Sequence, residues 1–276
     1  MTCGDVMFLA AVIQLNCTSN VEANWRDAEA LIRRAAKAGA TFIATPECAN
    51  YLGPHDEKVR LAEPLDGPAV ARFAELAKQL QVHLLVGSVN ERSHDPHRCY
   101  NTSVLLSPDG TIAASYRKIH LFDVDVSPEV RFLESDTTVA GDEAKTVETP
   151  LCTLGLSICY DLRFPELYRK LVDEGATVLT VPSAFTSTTG KDHWEVLLRA
   201  RAVETQSYVI APGQHGEHDD GGLRHSYGHS MIVDPWGHVI ARASDGLGLA
   251  IAEIDPERVR TIRRGMPIAA HRRMEH

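Results

Sequence analysis

A cysteine stands at a change of sequence pattern within the segment LGLSICYDLRFPELYRKL, residues 154–171. The apolar residues before Cys159 predict a buried strand, and the spacing after Pro165 predicts a helix that begins near this proline. Backbone N–H groups at a helix start, such as that of Tyr160, lack intrahelical partners and can stabilise developing negative charge. A helix N-terminus also favours thiolate over thiol. Cys159 is therefore a candidate sulfur nucleophile.

Cysteine is also among the most frequently buried residue types, so a place in the core is the alternative interpretation of Cys159. A catalytic thiol needs a proton acceptor and a group that stabilises the oxyanion. Glu47 and Lys118 each fall at the end of a separate predicted strand, and if these strands are neighbours the three side chains can converge. Glu134 could hold Lys118 or Glu47 in position. Taken alone, Glu47 and Lys118 are more commonly solvated surface groups.

The elements that would position these residues alternate between strands and helices. Residues 8–16 predict a first buried strand, and Asn20 or Asn24 can open a helix that runs through Ala38. Trp194, Leu197, Leu198, Ala202 and Val203 are expected on the apolar face of a later helix. The other expected elements are a strand at 41–45, a helix at 68–81, a strand at 83–92, a hairpin at 99–118 and a strand at 175–185.

Several stretches carry less regular patterns. Residues 124–150 are interpreted as loop-rich, and residues 213–225 as a flexible polar loop that could shape substrate entry. Residues 226–255 predict two hairpins, with turns at 234–237 and 244–246. The arginine-rich residues 256–276 predict a basic helix and tail, either solvated or docked on a second subunit. We expect one continuous domain over residues 6–264 and a C-terminal tail at 265–276.

The composition is typical of a globular protein, since 44% of the 276 residues are hydrophobic and 24% are charged. The net charge of -9 argues against a nucleic acid or an acidic membrane as partner. No apolar run is long enough to span a bilayer, and the N-terminus lacks the basic region of a signal peptide. The six cysteines show no disulfide-like spacing, so we expect a reduced, cytoplasmic protein.

Four segments carry a resemblance that covers nearly the whole chain, residues 6–264. In order, TPECANY, YRKIHLFD, RFLES and SICYDLRFPELY resemble the signatures of the nitrilase, or carbon–nitrogen hydrolase, superfamily. The resemblance implies an α/β fold, a four-layer α-β-β-α sandwich, usually a homodimer or higher homo-oligomer, with no metal or cofactor. It also implies a triad in which Glu47 is the general base, Lys118 stabilises the tetrahedral intermediate and Cys159 is the nucleophile. Glu134 matches a supporting glutamate.

Two further segments narrow this resemblance. PSAFTSTTGKDHWEVLLRARAVETQSYV and SYGHSMIVDPWG resemble the branch of amidases that act on deaminated glutathione. The sister branch, ω-amidases that act on α-ketoglutaramate, tends to carry glycine where this chain has Ser183. Nitriles and N-carbamoyl acids are further alternatives within the superfamily. The implied mechanism is covalent, because the thiolate attacks the amide carbon and forms a thioester that water then cleaves.

The favoured small-molecule amide has an anionic keto-acid end and needs a polar or cationic pocket. Arg163 could bind this end or pair with Glu166 or Asp161 on its own helix, and Phe185 could be pocket wall or core. The candidate substrate-binding residues are Tyr51, Tyr160, Arg163, Phe185, Thr186 and His193.

A metallohydrolase is the first alternative, because the chain has 13 histidines. His193 lies close to Glu195, and His215, His218, His225 and His229 form a cluster in sequence. No H-E-x-x-H motif or paired Cys/His spacing is present, however, and a histidine-rich loop is commonly solvated. A catalytically idle binding module is the second alternative, although all four catalytic positions are filled. A Rossmann-type enzyme is disfavoured, because no G-x-G-x-x-G follows a strand.

Overall fold

Strands and helices alternate along the chain, and a computed structural model describes residues 6–127, 130–222 and 224–274. The strands are Phe8–Gln14 (β1), Phe42–Ala44 (β2), His83–Arg92 (β3), Cys99–Leu106 (β4), Ile112–Arg117 (β5), Asp123–Ser127 (β6), Val130–Leu133 (β7), Thr138–Val139 (β8), Lys145–Glu148 (β9), Thr153–Leu156 (β10), Val178–Thr180 (β11), Tyr208–Ala211 (β12), His215–Glu217 (β13), His225–Tyr227 (β14), Met231–Val233 (β15), Val239–Arg242 (β16) and Gly248–Ile254 (β17). The α-helices are Val21–Lys37 (α1), His55–Arg60 (α2), Pro68–Leu80 (α3), Pro165–Asp173 (α4), Ser187–Thr205 (α5), Pro256–Gly265 (α6) and Ile268–His271 (α7). Short 3-10 helices span Glu134–Asp136 and Cys159–Arg163.

Two large sheets organise these elements. The first has the strand order β17-β1-β2-β3-β4-β5, with β8 paired to β4, and the second has the order β16-β15-β12-β11-β10-β9. In the first sheet β1, β2 and β3 are parallel, and in the second β10, β11 and β12 are parallel. Helices join these parallel strands, as parallel pairing requires. The carboxyl ends of β2 and β10 lead directly to Glu47 and Cys159.

The core follows the alternation of side chains along the strands. Successive residues of a strand point to opposite faces, so Ala11 and Ile13 of β1 pack in the cluster that includes residues of α1 and α3. Ala10 and Val12 of the same strand lie in a cluster shared by the two sheets. Leu179 of β11 packs with residues of α4 and α5 on the outer face of the second sheet. The layers are α-β-β-α, and the predicted sandwich is confirmed.

Asn20, rather than Asn24, caps α1. Its side chain accepts a hydrogen bond from the Ala23 N–H at 3.0 Å, which satisfies one of the unpaired donors of the helix start. Asn24 is buried inside the helix, where its Nδ2 donates to the backbone oxygens of Thr18 at 2.7 Å and Asn50 at 3.0 Å. This amide therefore ties α1 to the segment that follows Glu47.

Two segments expected to be loops contain strands. The expectation is wrong where those strands lie, while residues 218–222 lie in the turn between β13 and β14. Residues 124–150 hold the hairpin of β6 and β7, while β8 and β9 lie beside β4 and β10 at the sheets. Residues 213–225 lead into the hairpin of β13 and β14, in which His215 is paired with Tyr227. These strands are short and carry many polar side chains, so they lack the apolar alternation by which a strand is recognised.

The prediction of the second hairpin near the C-terminus is also wrong. Strands β15 and β16 form the first hairpin, but after residues 244–246 the chain crosses to the other sheet. There β17 pairs antiparallel with β1, and Phe8 lies opposite Ile254. Gln14 Nε2 donates to the backbone oxygens of Ser244 and Gly246, each at 2.7 Å, and so fixes the crossing.

The helical C-terminal segment is held against its own chain. Arg258 pairs with Asp234 at 2.6 Å, and Arg263 Nη2 donates to the Ala176 backbone oxygen at 2.9 Å. Arg272 of the predicted tail pairs with Asp173 at 2.7 Å.

In α5, Trp194, Leu198 and Ala202 are buried as expected, whereas Val203 is 45% exposed and does not belong to the apolar face. Across the described part of the chain, the helices are too short or too polar to cross a membrane.

Candidate active site

Glu47 is a buried carboxylate just beyond the end of β2. Its Oε1 accepts hydrogen bonds from Lys118 Nζ at 3.0 Å and from Asn101 Nδ2 at 2.8 Å. Its Oε2 accepts from the Ala184 N–H at 2.7 Å, and its backbone oxygen accepts from Gln214 Nε2 at 2.9 Å. Segments from both sheets therefore hold this carboxylate in one orientation.

Lys118 follows the last residue of β5 and is only 2% exposed. Its Nζ lies 2.8 Å from Glu134 Oε2 and 3.0 Å from Glu47 Oε1, so the ammonium bridges two carboxylates. Glu134 begins the 3-10 helix after β7, and its Oε2 also accepts from the Phe122 N–H at 2.7 Å. Glu134 therefore lies in contact with Lys118 and with the segment that follows it.

Cys159 lies at the junction between β10 and a 3-10 helix, with a left-handed φ of 48°. Its N–H donates to the Pro182 backbone oxygen at 2.9 Å, which fixes the turn against the segment after β11. The α-helix starts only at Pro165, so Cys159 is not at an α-helix N-terminus. The Tyr160 N–H makes no hydrogen bond within the described ranges and is free to act as a donor.

Burial and nearby charges shift the pKa values of Cys159 and Lys118 in this cluster. Burial, followed by the charge and hydrogen bonding of Glu47, holds the pKa of the Cys159 thiol well above its ordinary value, although Lys118 opposes this effect. For Lys118, burial favours the neutral amine, but Glu134, Glu47 and Cys159 outweigh it and keep the pKa well above the ordinary value. The resting pair is thus a neutral thiol beside an ammonium, and the thiol needs a base.

Burial would also raise the pKa of Glu134, but the positive charges of Lys118 and Lys58 hold it below its ordinary value. Glu134 is therefore a carboxylate at neutral pH. Its negative charge stabilises the ammonium form of Lys118, which suits Lys118 to stabilise an oxyanion.

Two further residues complete the site, and neither was singled out as catalytic by sequence reasoning. Asn101 donates to Glu47 and lies 3.3 Å from Glu134 Oε1. Asp161 is fully buried under the Cys159 turn, where its carboxylate accepts from Tyr116 Oη at 2.7 Å and from the Ile158 N–H at 2.8 Å. Asn101 stands beside Thr102 and Ser103 in β4, so its polarity alone does not distinguish it in the sequence.

These side chains share a cavity of about 240 Å³. It is lined by Glu47, Lys118, Glu134 and Cys159, and by five of the six candidate substrate-binding residues, Tyr51, Tyr160, Arg163, Phe185 and Thr186. His193 lies outside this lining, with its Nδ1 3.3 Å from Arg163 Nη2. The Arg163 guanidinium lies 5.3 Å from the Phe185 ring centre. Lys58, Arg224 and His225 also line the cavity and were not predicted to do so.

Of the histidines that suggested a metal site, His218 makes hydrogen bonds within the protein. His218 is buried, with Nδ1 2.7 Å from the Cys17 backbone oxygen and Nε2 2.8 Å from Ser226 Oγ. Within the described ranges no three His, Cys, Asp or Glu side chains are grouped so that they could hold a metal ion. Of the cysteines, Cys17, Cys48, Cys99, Cys152 and Cys159 are free thiols, and Cys3 lies outside the described residues.

Comparison with known proteins gives consistent matches. The family model described as carbon-nitrogen hydrolase matches residues 9–264. A human protein named deaminated glutathione amidase is 44% identical over 270 residues, which cover 96% of this chain and 82% of that protein. A Synechocystis protein of the same name is 45% identical over 269 residues, covering 96% of this chain and 98% of the relative.

The solved structures agree. The crystal structure of the Caenorhabditis elegans NitFhit protein matches with a TM-score of 0.92 and 40% identity, covering 99% of this chain. This chain spans 66% of that longer protein.

Proposed function

The chain belongs to the carbon–nitrogen hydrolase family and is an amide-hydrolysing enzyme, and we propose that it hydrolyses deaminated glutathione through a Cys159 thioester. The observation that carries the mechanism is the position of Lys118 between Glu47 and Glu134 in the wall of the cavity that also contains Cys159. A base, a fixed cation and a thiol in one partly enclosed cavity are the groups that covalent amide hydrolysis requires.

Acylation begins when the sulfur of Cys159 attacks the amide carbon while Glu47 takes the thiol proton. The tetrahedral oxyanion forms beside the Lys118 ammonium and the Tyr160 N–H, and these donors stabilise it. The C–N bond then breaks, and the protonated Glu47 gives its proton to the departing amine of cysteinylglycine. The product of this half-reaction is an α-ketoglutaryl thioester on Cys159.

In deacylation water is the nucleophile and the sulfur of Cys159 is the leaving group. Glu47 takes a proton from water as its oxygen attacks the thioester carbon, and Lys118 again faces the oxyanion. The C–S bond breaks, α-ketoglutarate leaves and the sulfur receives the proton from Glu47. Because Glu134 holds Lys118 charged throughout, it acts as a positioning residue.

The charge of the cavity wall supports an anionic substrate. Lys58, Lys118, Arg163 and Arg224 line the cavity, against the carboxylates of Glu47 and Glu134, although the chain as a whole carries a net charge of -9. We propose that Arg163 binds one carboxylate of the substrate and that Tyr51, Tyr160, Phe185 and Thr186 form the surrounding wall.

A turnover panel tests this function. The kcat/KM of the purified protein is measured for deaminated glutathione, α-ketoglutaramate, a simple nitrile and an N-carbamoyl acid. We expect deaminated glutathione to be hydrolysed best, with release of cysteinylglycine. Faster release of ammonia from α-ketoglutaramate would instead identify an ω-amidase. Inactivity on all four compounds would refute the proposed function.

We also propose a cytoplasmic homodimer. Exposed Val196, Val203 and Trp236, at 65%, 45% and 54% exposure, supply apolar surface for a second copy. The free thiols of the described cysteines agree with a reducing compartment. Light scattering should give twice the chain mass, and cell fractionation checks the location.

A further inference from the structure

Lys58 of α2 is a buried cation in the wall of the active-site cavity. Only 9% of its surface is exposed, and its Nζ donates to Thr138 Oγ1 at 2.8 Å. Within the part of the chain that the structure describes, this ammonium has no carboxylate within ion-pair distance. An ammonium has three donors, and Lys58 uses one of them on the Thr138 hydroxyl, while the charge of Glu134 acts on it from beyond ion-pair distance. The position is therefore suited to receive an anion.

The other cations of the cavity wall already have partners. Lys118 pairs with Glu47 and Glu134, and Arg224 Nε lies 2.5 Å from Asp220 Oδ2. The Arg163 guanidinium lies over the rings of Phe185 and Tyr160, at 5.3 and 5.9 Å. Lys58 donates to one neutral hydroxyl, that of Thr138, and so keeps more of its N–H donors available for a ligand.

Lys58 and Arg163 line different parts of the cavity wall. Near it, the Arg224 guanidinium lies 5.6 Å from the Phe132 ring centre, and the His55 ring lies 5.1 Å from the same ring. Burial, together with the positive charges of Arg224 and Lys58, lowers the pKa of His55 to about 4, so both cations act on this region. Arg163 contacts Tyr160, Phe185 and His193 instead.

We propose that Lys58 is a specificity-determining residue whose ammonium binds a carboxylate of the substrate. This inference rests on the proposed amidase function. Deaminated glutathione carries a carboxylate on each side of its scissile amide, one in the keto-acid part and one in the glycine part. α-Ketoglutaramate carries the keto-acid carboxylate alone. Cations in two separate parts of the wall, Lys58 and Arg163, match a substrate that is anionic at both ends.

The experiment compares Lys58→Met and Lys58→Arg with wild type, and Lys78→Met, a change of an exposed lysine on α3, serves as control. The substrates are deaminated glutathione, α-ketoglutaramate and butyramide, which has no carboxylate. We expect Lys58→Met to lower kcat/KM for deaminated glutathione about 10- to 100-fold, as for loss of one charge-assisted hydrogen bond. Butyramide turnover should change less than about 3-fold, and Lys58→Arg should retain part of the activity.

The three substrates also locate the carboxylate. A loss with both anionic amides assigns Lys58 to the keto-acid part, and a loss with deaminated glutathione alone assigns it to the glycine part. If butyramide turnover is too slow to measure, the rate at which neutral iodoacetamide alkylates Cys159 reports on the triad in its place.

An equal loss with the neutral and the anionic compounds, with a shifted pH profile, would overturn the inference, because Lys58 would then act through Glu134. Unchanged kcat/KM for both anionic amides in Lys58→Met would overturn it too. Failure of the proposed function is distinguishable, because wild type itself would then not favour deaminated glutathione in the turnover panel.

Discussion

The Asp161 carboxylate accepts a hydrogen bond from His120 Nδ1 at 2.7 Å. Asp161 lies in the 3-10 helix that begins with Cys159, and His120 lies two residues after Lys118. The same oxygen of Asp161 also accepts from the His120 N–H at 3.0 Å. This buried carboxylate therefore joins the segment of Cys159 to the segment of Lys118, and it fixes the distance between them.

Asp161→Asn should weaken both stability and catalysis. The asparagine Nδ2 cannot accept, so some of the donors on Ile158, Tyr116 and His120 lose their partner. We expect the free energy of unfolding to fall by about 2–4 kcal/mol and kcat to fall at least about 10-fold. Denaturant unfolding and steady-state kinetics measure the two effects. Asp66→Asn, on the surface, is the control, and a variant as active and stable as wild type would contradict the role.

Cys159→Ala should abolish turnover without unfolding the protein. The thiol forms the covalent bond in the proposed reaction, so we expect a loss of about 10⁴-fold or more in kcat. Cys159→Ser should be nearly as inactive, because a serine hydroxyl is far less acidic than a thiol. Cys99→Ala removes a buried thiol of β4 and should keep the activity. Native turnover in either Cys159 variant would refute the assignment.

Gly87→Ala should disturb Glu47 although the two residues do not share a segment. A Cβ at Gly87 would lie 2.0 Å from the Thr45 backbone oxygen and 2.4 Å from that of Pro46. The backbone just before Glu47 would have to move, so we expect a stability loss of about 1–3 kcal/mol and a fall in kcat of about 10-fold or more. Gly248→Ala, where a Cβ meets nothing within 4 Å, is the matched control and should leave kcat unchanged.

His218 should make stability depend on pH. Burial lowers its pKa to about 4, from an ordinary value of 6.5. Between these values the unfolded chain binds a proton that the folded chain does not, so stability is complete above pH 6.5 and falls as pH drops towards 4. The loss from this residue is up to about 3 kcal/mol.

Denaturant unfolding at several pH values tests this expectation. His218→Gln keeps polar atoms near Cys17 and Ser226 and should flatten the slope between pH 6.5 and 4. His97→Gln, at an exposed position, should leave the slope unchanged. Equal slopes in all three proteins would show that His218 does not cause the pH dependence.

Parts of the site can be predicted from local sequence because they sit at the ends of recognisable strands. The apolar runs before Glu47 and Cys159 mark β2 and β10, whose ends bring both residues to one cavity. The expectation that Cys159 lies at the start of an α-helix is wrong for a reason local sequence cannot supply. The chain makes a 3-10 turn before the helix at Pro165, and half-buried Cys159 lies in the cavity wall with Glu47.

Other residues depend on contacts across long stretches of chain. Lys58 meets Thr138, which is 80 positions away, and Asp161 meets Tyr116, 45 positions away. A helix as short as α2 shows too weak a periodicity of apolar residues to be recognised in the sequence. His193 has the right neighbours in sequence, but in α5 it contacts Arg163 and lies outside the cavity lining.

The pairing of β1 with β17 sets the order in which the protein can mature on the ribosome. The free edge of β1, residues 8–14, is covered only when β17, residues 248–254, has been synthesised and has paired with it. Until then the nascent chain presents an open strand edge, which is a template for unwanted association. Such a distant closure slows folding, so β1 stays open to pairing with another chain until β17 has been synthesised.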